Sequence, residues 1–170
     1  MPSSPVIIFT FGHSRHALEH FLDILLKHEI QLVIDVRRRP ASRHVPHFHR
    51  QKLAAALSAQ GLHYVFAGEE LGGKLQELEA YFSDGTLNPA WLKSRPGFQE
   101  GLKMVLAQAR QQRVCLLCSE GDPARCHRAT ILAPELTAHG AQVLHILPDG
   151  SLLAHEKLSL IGRLRQKRLF

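Results

Sequence analysis

Cysteine is scarce in this chain, and its number is odd. Cys115, Cys118 and Cys126 are the three in 170 residues. An odd count fits no closed disulfide framework, so free thiols or a metal site remain as readings. Long apolar runs are also lacking. None approaches the ~20 residues that a membrane span needs. The opening Met1-Pro2-Ser3-Ser4-Pro5 has neither the basic nor the apolar region of a signal peptide. These absences lead to the expectation of a cytoplasmic protein with no membrane partner. Internal repeats and low-complexity tracts are missing too, which excludes solenoids and tail-like disordered segments.

What is present is ordinary in bulk and unusual in placement. Apolar residues make up 45% of the chain, typical of a globular protein. At this length the expectation is one α/β domain over residues 1–170, burying roughly 70% of its unfolded surface. Net charge is +6, but 163–168 alone carries four cations, leaving +2 for the rest. A general basic field is therefore weak, and local clusters carry more information.

Val6-Ile7-Ile8-Phe9-Thr10 reads as a buried strand, followed by a helix whose face is Leu18, Phe21, Leu22, Leu25 and Leu26. Ser14 is placed as its N-cap. Leu32-Val33-Ile34-Asp35-Val36 is a second strand, leading into the basic loop from Arg37 to Arg43. A short helix over 51–60 and a third strand at His63-Tyr64-Val65-Phe66 follow. Residues 74–97 break the rhythm with several turn signals and read as an inserted lid. A helix, a fourth strand (Val114-Cys115-Leu116-Leu117), another helix opened by Asp122-Pro123, and a fifth strand (Val143 to Leu147) complete the pattern. Pro134 lies well inside that last helix and predicts a kink. A final helix with a basic tail is expected over 152–170. The order predicts a largely parallel five-stranded sheet with helices on both faces, a Rossmann-like three-layer α/β fold.

In such sheets ligands bind beyond the carboxyl ends of the strands. That rule gathers His13 and Ser14 after the first strand, and Asp35, Arg37 and Arg43 after the second. It adds Glu69 after the third, and Cys118, Glu120, Arg125, His127 and Arg128 after the fourth. Helix N-termini and arginines on one rim point to an anionic small-molecule ligand, with phosphate the natural group. Glu120, His13, Asp35 and Cys118 are the candidates for chemistry; Ser14, Arg37, Arg43, Glu69, Arg125, His127 and Arg128 are the candidates for holding the ligand. Cys118 reads either as a thiol activated beside a helix N-terminus or as a packed strand-end residue. A Cys118, Cys126 and His127 metal site is chemically suitable. Against it, no C-x2-C pair is present, and adjacent Cys126 and His127 on a helix would face apart. No residue is therefore assigned to a metal, and no cofactor is named. Among other histidines, His145 reads as a hydrogen-bonded core residue, and His44, His47 and His49 as loop residues.

The sequence resembles the family called domain of unknown function 488. The resemblance rests on Thr10-Phe11-Gly12-His13-Ser14, on Val33-Ile34-Asp35-Val36-Arg37 with Pro40, Ser42 and Arg43, and on Tyr64 with Leu71-Gly72-Gly73. It continues through Cys118-Ser119-Glu120 with Cys126-His127-Arg128, and ends at His145-Ile146. Ser119 departs from the small apolar residue more usual there. The resemblance implies a cytoplasmic α/β domain of bacterial or archaeal type, and no established activity. Three functional classes stay open: an enzyme acting on a phosphate-bearing small molecule or nucleotide, a nucleic-acid-binding module without catalysis, and a thiol or metal sensor.

Overall fold

The structure, a computed structural model, describes residues 4–158, 160 and 161. Strands β1 (Ile7–Gly12), β2 (Leu32–Asp35), β3 (His63–Phe66), β4 (Val114–Cys118) and β5 (Gln142–Ile146) run parallel where they pair. A sixth strand, β6 (Leu152–Ala154), is antiparallel to β5. The order is β3-β2-β4-β1-β5-β6. The fold is α/β with a mixed, mostly parallel sheet of six strands, where five were expected. β4 lies between β2 and β1, unlike the 3-2-1-4-5-6 order of the Rossmann sheet.

The sixth strand replaces the start of the expected 152–170 helix. Asp149 accepts from the Ser151 amide and hydroxyl at 2.9 and 2.6 Å, and Leu147 N–H donates to the Ser151 carbonyl at 2.8 Å. With Gly150 at φ +83°, this tight turn sends the chain back along β5. Residues 155–158 are helical; the basic tail over 163–168 lies outside the described residues.

Alternation along the strands sorts side chains into two cores. Ile8, Leu32, Ile34, Val114, Leu116 and Val143 face one side of the sheet, and Phe9, Phe11, Val33, Cys115 and Leu117 the other. The first side is covered by α3 (Gly68–Leu71), α4 (Pro89–Ser94), α5 (Pro96–Ala109) and α6 (Ala133–Ala138), through Leu71, Leu92, Phe98, Leu102 and Leu136. The second is covered by α1 (Leu18–Lys27) and α2 (Arg50–Ala59), through Phe21, Leu25, Leu53 and Leu57. Leu102 is 1% exposed; truncating such a residue to alanine costs about 2–5 kcal/mol. Leu75, Ala80 and Leu92 of the 74–97 segment are buried in the first core. No helix among the described residues is long and apolar enough to cross a membrane.

Two helix starts differ from expectation. α1 begins after Ala17 without a side-chain cap; Ser14 instead occupies the preceding turn at φ +47°. Asp122 does act as a cap, accepting from Ala124 N–H at 3.0 Å, but it caps only the 3-10 turn Pro123–Arg125. Cys126 is then extended (φ −124°, ψ 142°), and a π turn over Arg128–Leu132 leads into α6. Ala133 N–H reaches back to the Arg128 carbonyl. This wider turn lets α6 start afresh with Pro134 in its first turn, where its missing N–H is harmless. The expected interior kink is therefore a π turn ahead of the proline.

Candidate functional site

The carboxyl ends of the central strands are held in register before any side chain acts. Gly12 pairs with Cys118, and the ladder continues with His13 N–H to the Cys118 carbonyl and Ser14 N–H to the Ser119 carbonyl, both at 2.9 Å. A Cβ on Gly12 would sit 1.7 Å from the Glu120 carbonyl oxygen, so only glycine admits this approach. Arg128, fully buried, fastens the same junction. Its Nε donates to Thr10 Oγ1 at 3.1 Å, Nη1 to the Glu120 carbonyl, and Nη2 to the Gly121 carbonyl at 3.3 Å. Thr10 also bonds His145 Nδ1 at 2.7 Å, and His145 Nε2 meets His155 Nδ1 at 3.0 Å. His145 is thus a hydrogen-bonded core residue, as its strand position indicated, and burial lowers its pKa to about 3.

Above this floor opens a cavity of about 400 Å³, lined by residues following β1, β2 and β4, with Lys74 from the segment after β3. Arg15, Arg37, Arg39 and Lys74 bring four cations to it, against the single carboxylate of Glu120. Arg37 is fixed in place. Its Nε and Nη2 donate to Asp35 Oδ1 and Oδ2 at 2.8 and 2.7 Å, its own N–H reaches Oδ1 at 3.1 Å, and Nη1 donates to the Phe48 carbonyl at 2.8 Å. Tyr64 O–H donates to Asp35 Oδ2 at 2.6 Å. Burial and the Asp35 carboxylate push the Tyr64 hydroxyl above its usual range. With four donors on its two oxygens, Asp35 has no lone pair directed into the cavity. It holds Arg37 in place rather than facing the cavity as an acid–base group.

His13 stacks on Phe48, ring centroids 4.4 Å apart at 18°. Its Nδ1 meets the Ser14 carbonyl at 2.8 Å. A carbonyl only accepts, so Nδ1 carries the hydrogen and Nε2 is left as an acceptor. Burial lowers its pKa to about 4; the Ser14 carbonyl opposes the shift and the Arg37 charge adds to it. Glu120 is exposed, with Oε1 accepting from Asp122 N–H at 3.1 Å. Ser14 and Lys74 both line the cavity with φ of +47° and +56°, conformations that cost non-glycine residues about 1–3 kcal/mol and collect at working sites.

A recess of about 360 Å³ adjoins the cavity and shares Lys74, Ser119 and Glu120 with it. Here Cys118, Cys126 and His127 converge, their ligand atoms all within 4.8 Å of one another. His127 Nδ1 stands 3.8 Å from each sulfur. The Cys126 thiol donating to Cys118 holds the Cys118 pKa well down, against burial and aided by His127. Cys126 is pushed up correspondingly and keeps the proton. The expectation that Cys126 and His127 face apart fails because the chain is extended there, not helical.

Not every rim residue comes together. Arg125 lines the recess. Arg43 and Glu69 are exposed and border neither space, and only the Glu69 carbonyl engages a neighbour, accepting from Arg38 at 3.1 Å. Arg128 has its three nitrogens turned to the floor. Arg39, which read as part of a solvated basic loop, lines the cavity, and so do Lys74 and Phe48, which the sequence reading passed over. For Lys74 the signal was the preceding Gly72-Gly73; for Phe48, a lone aromatic among loop histidines.

The DUF488 pattern, domain of unknown function, matches residues 17–133. The chain belongs to this family. No curated protein and no solved structure matches it. In this DUF488 chain the matched span holds Asp35, Arg37, the Gly72-Gly73-Lys74 turn and the Cys118–Arg128 loop. His13 and Ser14 precede it.

Proposed function

We propose that this protein is an enzyme acting on a phosphate-bearing small molecule, a nucleotide or a nucleic-acid end bound in the basic cavity. The observation that carries this reading is the gathering of Arg15, Arg39 and Lys74, beside the Asp35-paired Arg37, around a space of about 400 Å³ that has Glu120 as its one lining carboxylate. Guanidinium groups match phosphate oxygens two at a time; Arg15 and Arg39 supply them here, while Arg37, held by Asp35 and the Phe48 carbonyl, shapes the cavity wall. Glu120, exposed at the cavity edge, carries the proton transfer. His13 offers Nε2 as an acceptor to a substrate hydroxyl or water. Cys118, at the junction with the recess, orients the reacting end. From the 74–97 segment, whose Leu75, Ala80 and Leu92 are anchored in the core, Lys74 alone reaches the ligand.

The test is calorimetric titration with inorganic pyrophosphate and a nucleoside monophosphate. Arg39→Ala and Lys74→Ala each weaken binding roughly 10- to 150-fold, since a charge-assisted bond contributes about 1.5–3 kcal/mol. Glu120→Gln and Cys118→Ser retain pyrophosphate binding and lose turnover. Unchanged affinity in the Arg39/Lys74 double variant overturns the ligand assignment; turnover surviving both Glu120→Gln and Cys118→Ser overturns the catalytic one.

A further inference from the structure

The geometry points to a zinc-binding site made by Cys118 Sγ, Cys126 Sγ and His127 Nδ1, with its fourth position open to the recess beside the cavity. The inference stands on these three side chains and is independent of what the cavity binds.

The first argument is metric. Tetrahedral zinc with Zn–S near 2.3 Å and Zn–N near 2.0–2.1 Å sets its sulfur and nitrogen ligands about 3.6 Å apart. The two sulfur–nitrogen edges here are each 3.8 Å, and the sulfur–sulfur edge is within 4.8 Å. The two sulfur–nitrogen edges need to shorten by only a few tenths of an ångström to hold an ion. A disulfide needs its two sulfurs about 2.0 Å apart; Cys118 and Cys126 are both free thiols.

The second argument is the histidine's lack of ordinary partners. Among the described residues His127 Nδ1 meets only the two sulfurs, each at 3.8 Å, too long for a good hydrogen bond. Buried polar groups are almost always satisfied, and an exception signals an ion, a water or a chemical role. An ion on Nδ1 uses the lone pair that two sulfurs at 3.8 Å use poorly. The ring is also held in place: a Cβ at Gly73 would stand 3.3 Å from His127 Cγ and Nδ1, so the backbone of the Gly72-Gly73 turn lies against it.

Two thiolates and an imidazole form a donor set suited to zinc. On binding, the thiol protons pass to solvent. No fourth histidine, cysteine or carboxylate joins the cluster among the described residues. That leaves the three-ligand arrangement of zinc sites that keep a position for water or substrate. This position faces the recess lined by Lys74, Glu120 and Arg125.

The experiment uses the full chain without an affinity tag, stripped with a chelator under reducing conditions and titrated with cobalt(II), then zinc(II). One cobalt per chain is expected, giving a near-ultraviolet sulfur-to-metal charge-transfer band and tetrahedral visible bands, all lost when zinc displaces cobalt. Cys126→Ser and His127→Ala lose the tetrahedral spectrum. Cys115→Ser, on the opposite face of the sheet, keeps it. A readout needing no variant is iodoacetamide labelling followed by peptide mapping: zinc protects Cys118 and Cys126 together. A folded wild type without the charge-transfer band, a band that persists in Cys126→Ser, or labelling of Cys118 and Cys126 unaffected by zinc overturns the site. Pyrophosphate affinity, measured separately, reports on the cavity and not on the metal.

Discussion

Replacing Asp35 by asparagine changes one atom and should remove a large share of the protein's stability. The Asp35 carboxylate is fully buried, and the Arg37 side chain is 6% exposed. Two guanidinium N–H groups, the Arg37 amide and the Tyr64 hydroxyl converge on the two oxygens. Asparagine keeps the shape but loses the charge, and turns one acceptor into an N–H₂ that meets donors from Arg37 and Tyr64. Removing one partner of a buried pair leaves the other charge uncompensated, which costs about 3–5 kcal/mol. That is a large part of the ~5–15 kcal/mol of a typical domain. Urea unfolding followed by circular dichroism reads this as a lowered midpoint at unchanged slope. Tyr64→Phe, removing one bond from a half-buried hydroxyl, should cost about 1 kcal/mol alone and much less in the Asp35→Asn background. A loss under about 1 kcal/mol for Asp35→Asn, or strict additivity with Tyr64→Phe, would refute the assignment of Asp35 as the anchor of Arg37.

Acid should destabilise the fold through His145. Its native pKa is about 3 against an unfolded value of 6.5, so between these the unfolded chain binds a proton the native state refuses. The stabilisation is complete above pH 6.5 and lost as pH falls toward 3, at no more than about 1.4 kcal/mol per unit. His145→Gln should therefore show a shallower acid slope than wild type, and an equal slope would count against the burial argument. Gly12→Ala should destabilise by at least about 3 kcal/mol, since its Cβ meets a backbone carbonyl at 1.7 Å. Gly97→Ala, with nothing within 4 Å, should instead stabilise by about 0.5 kcal/mol in thermal melts. Cys115, fully buried with its pKa pushed up by burial, should be alkylated only at the rate of global unfolding, which denaturant-dependent labelling would measure.

The strands and the rim were readable because both follow local rules. Apolar β-branched runs mark β1, β2 and β4, and parallel strands send their ends to one side. β6 was lost because Leu152-Leu153-Ala154 suits a helix as well as a strand. The deciding Asp149-Gly150 turn was available, but three residues after it are too few to show a strand's alternation. Asp35 read as an acid–base group because sequence cannot show donors arriving from Arg37 and Tyr64. Arg128 read as a ligand residue because its burial depends on a π turn that no local pattern announces. The grouping of Cys126 with His127 was misjudged on helical phase, and one extended residue was enough to reverse it.

The fastening of Thr10, Glu120 and Gly121 by Arg128 has a mechanical consequence. The turns after β1 and β4 share a guanidinium, two backbone hydrogen bonds and a contact too tight for a methyl group, so they move as one rigid wall. The opposite wall is built differently: Arg39 and Lys74 are both exposed, and Lys74 sits at a left-handed backbone position. The close approaches on that side are at Gly68 and Gly72, where a Cβ would stand 2.1 Å from the Arg37 carbonyl oxygen and 2.3 Å from the Gly68 carbonyl oxygen. The Arg128 side of the cavity is thus tied through a buried side chain, and the Lys74 side through backbone contacts, with its two exposed cations left to reorient.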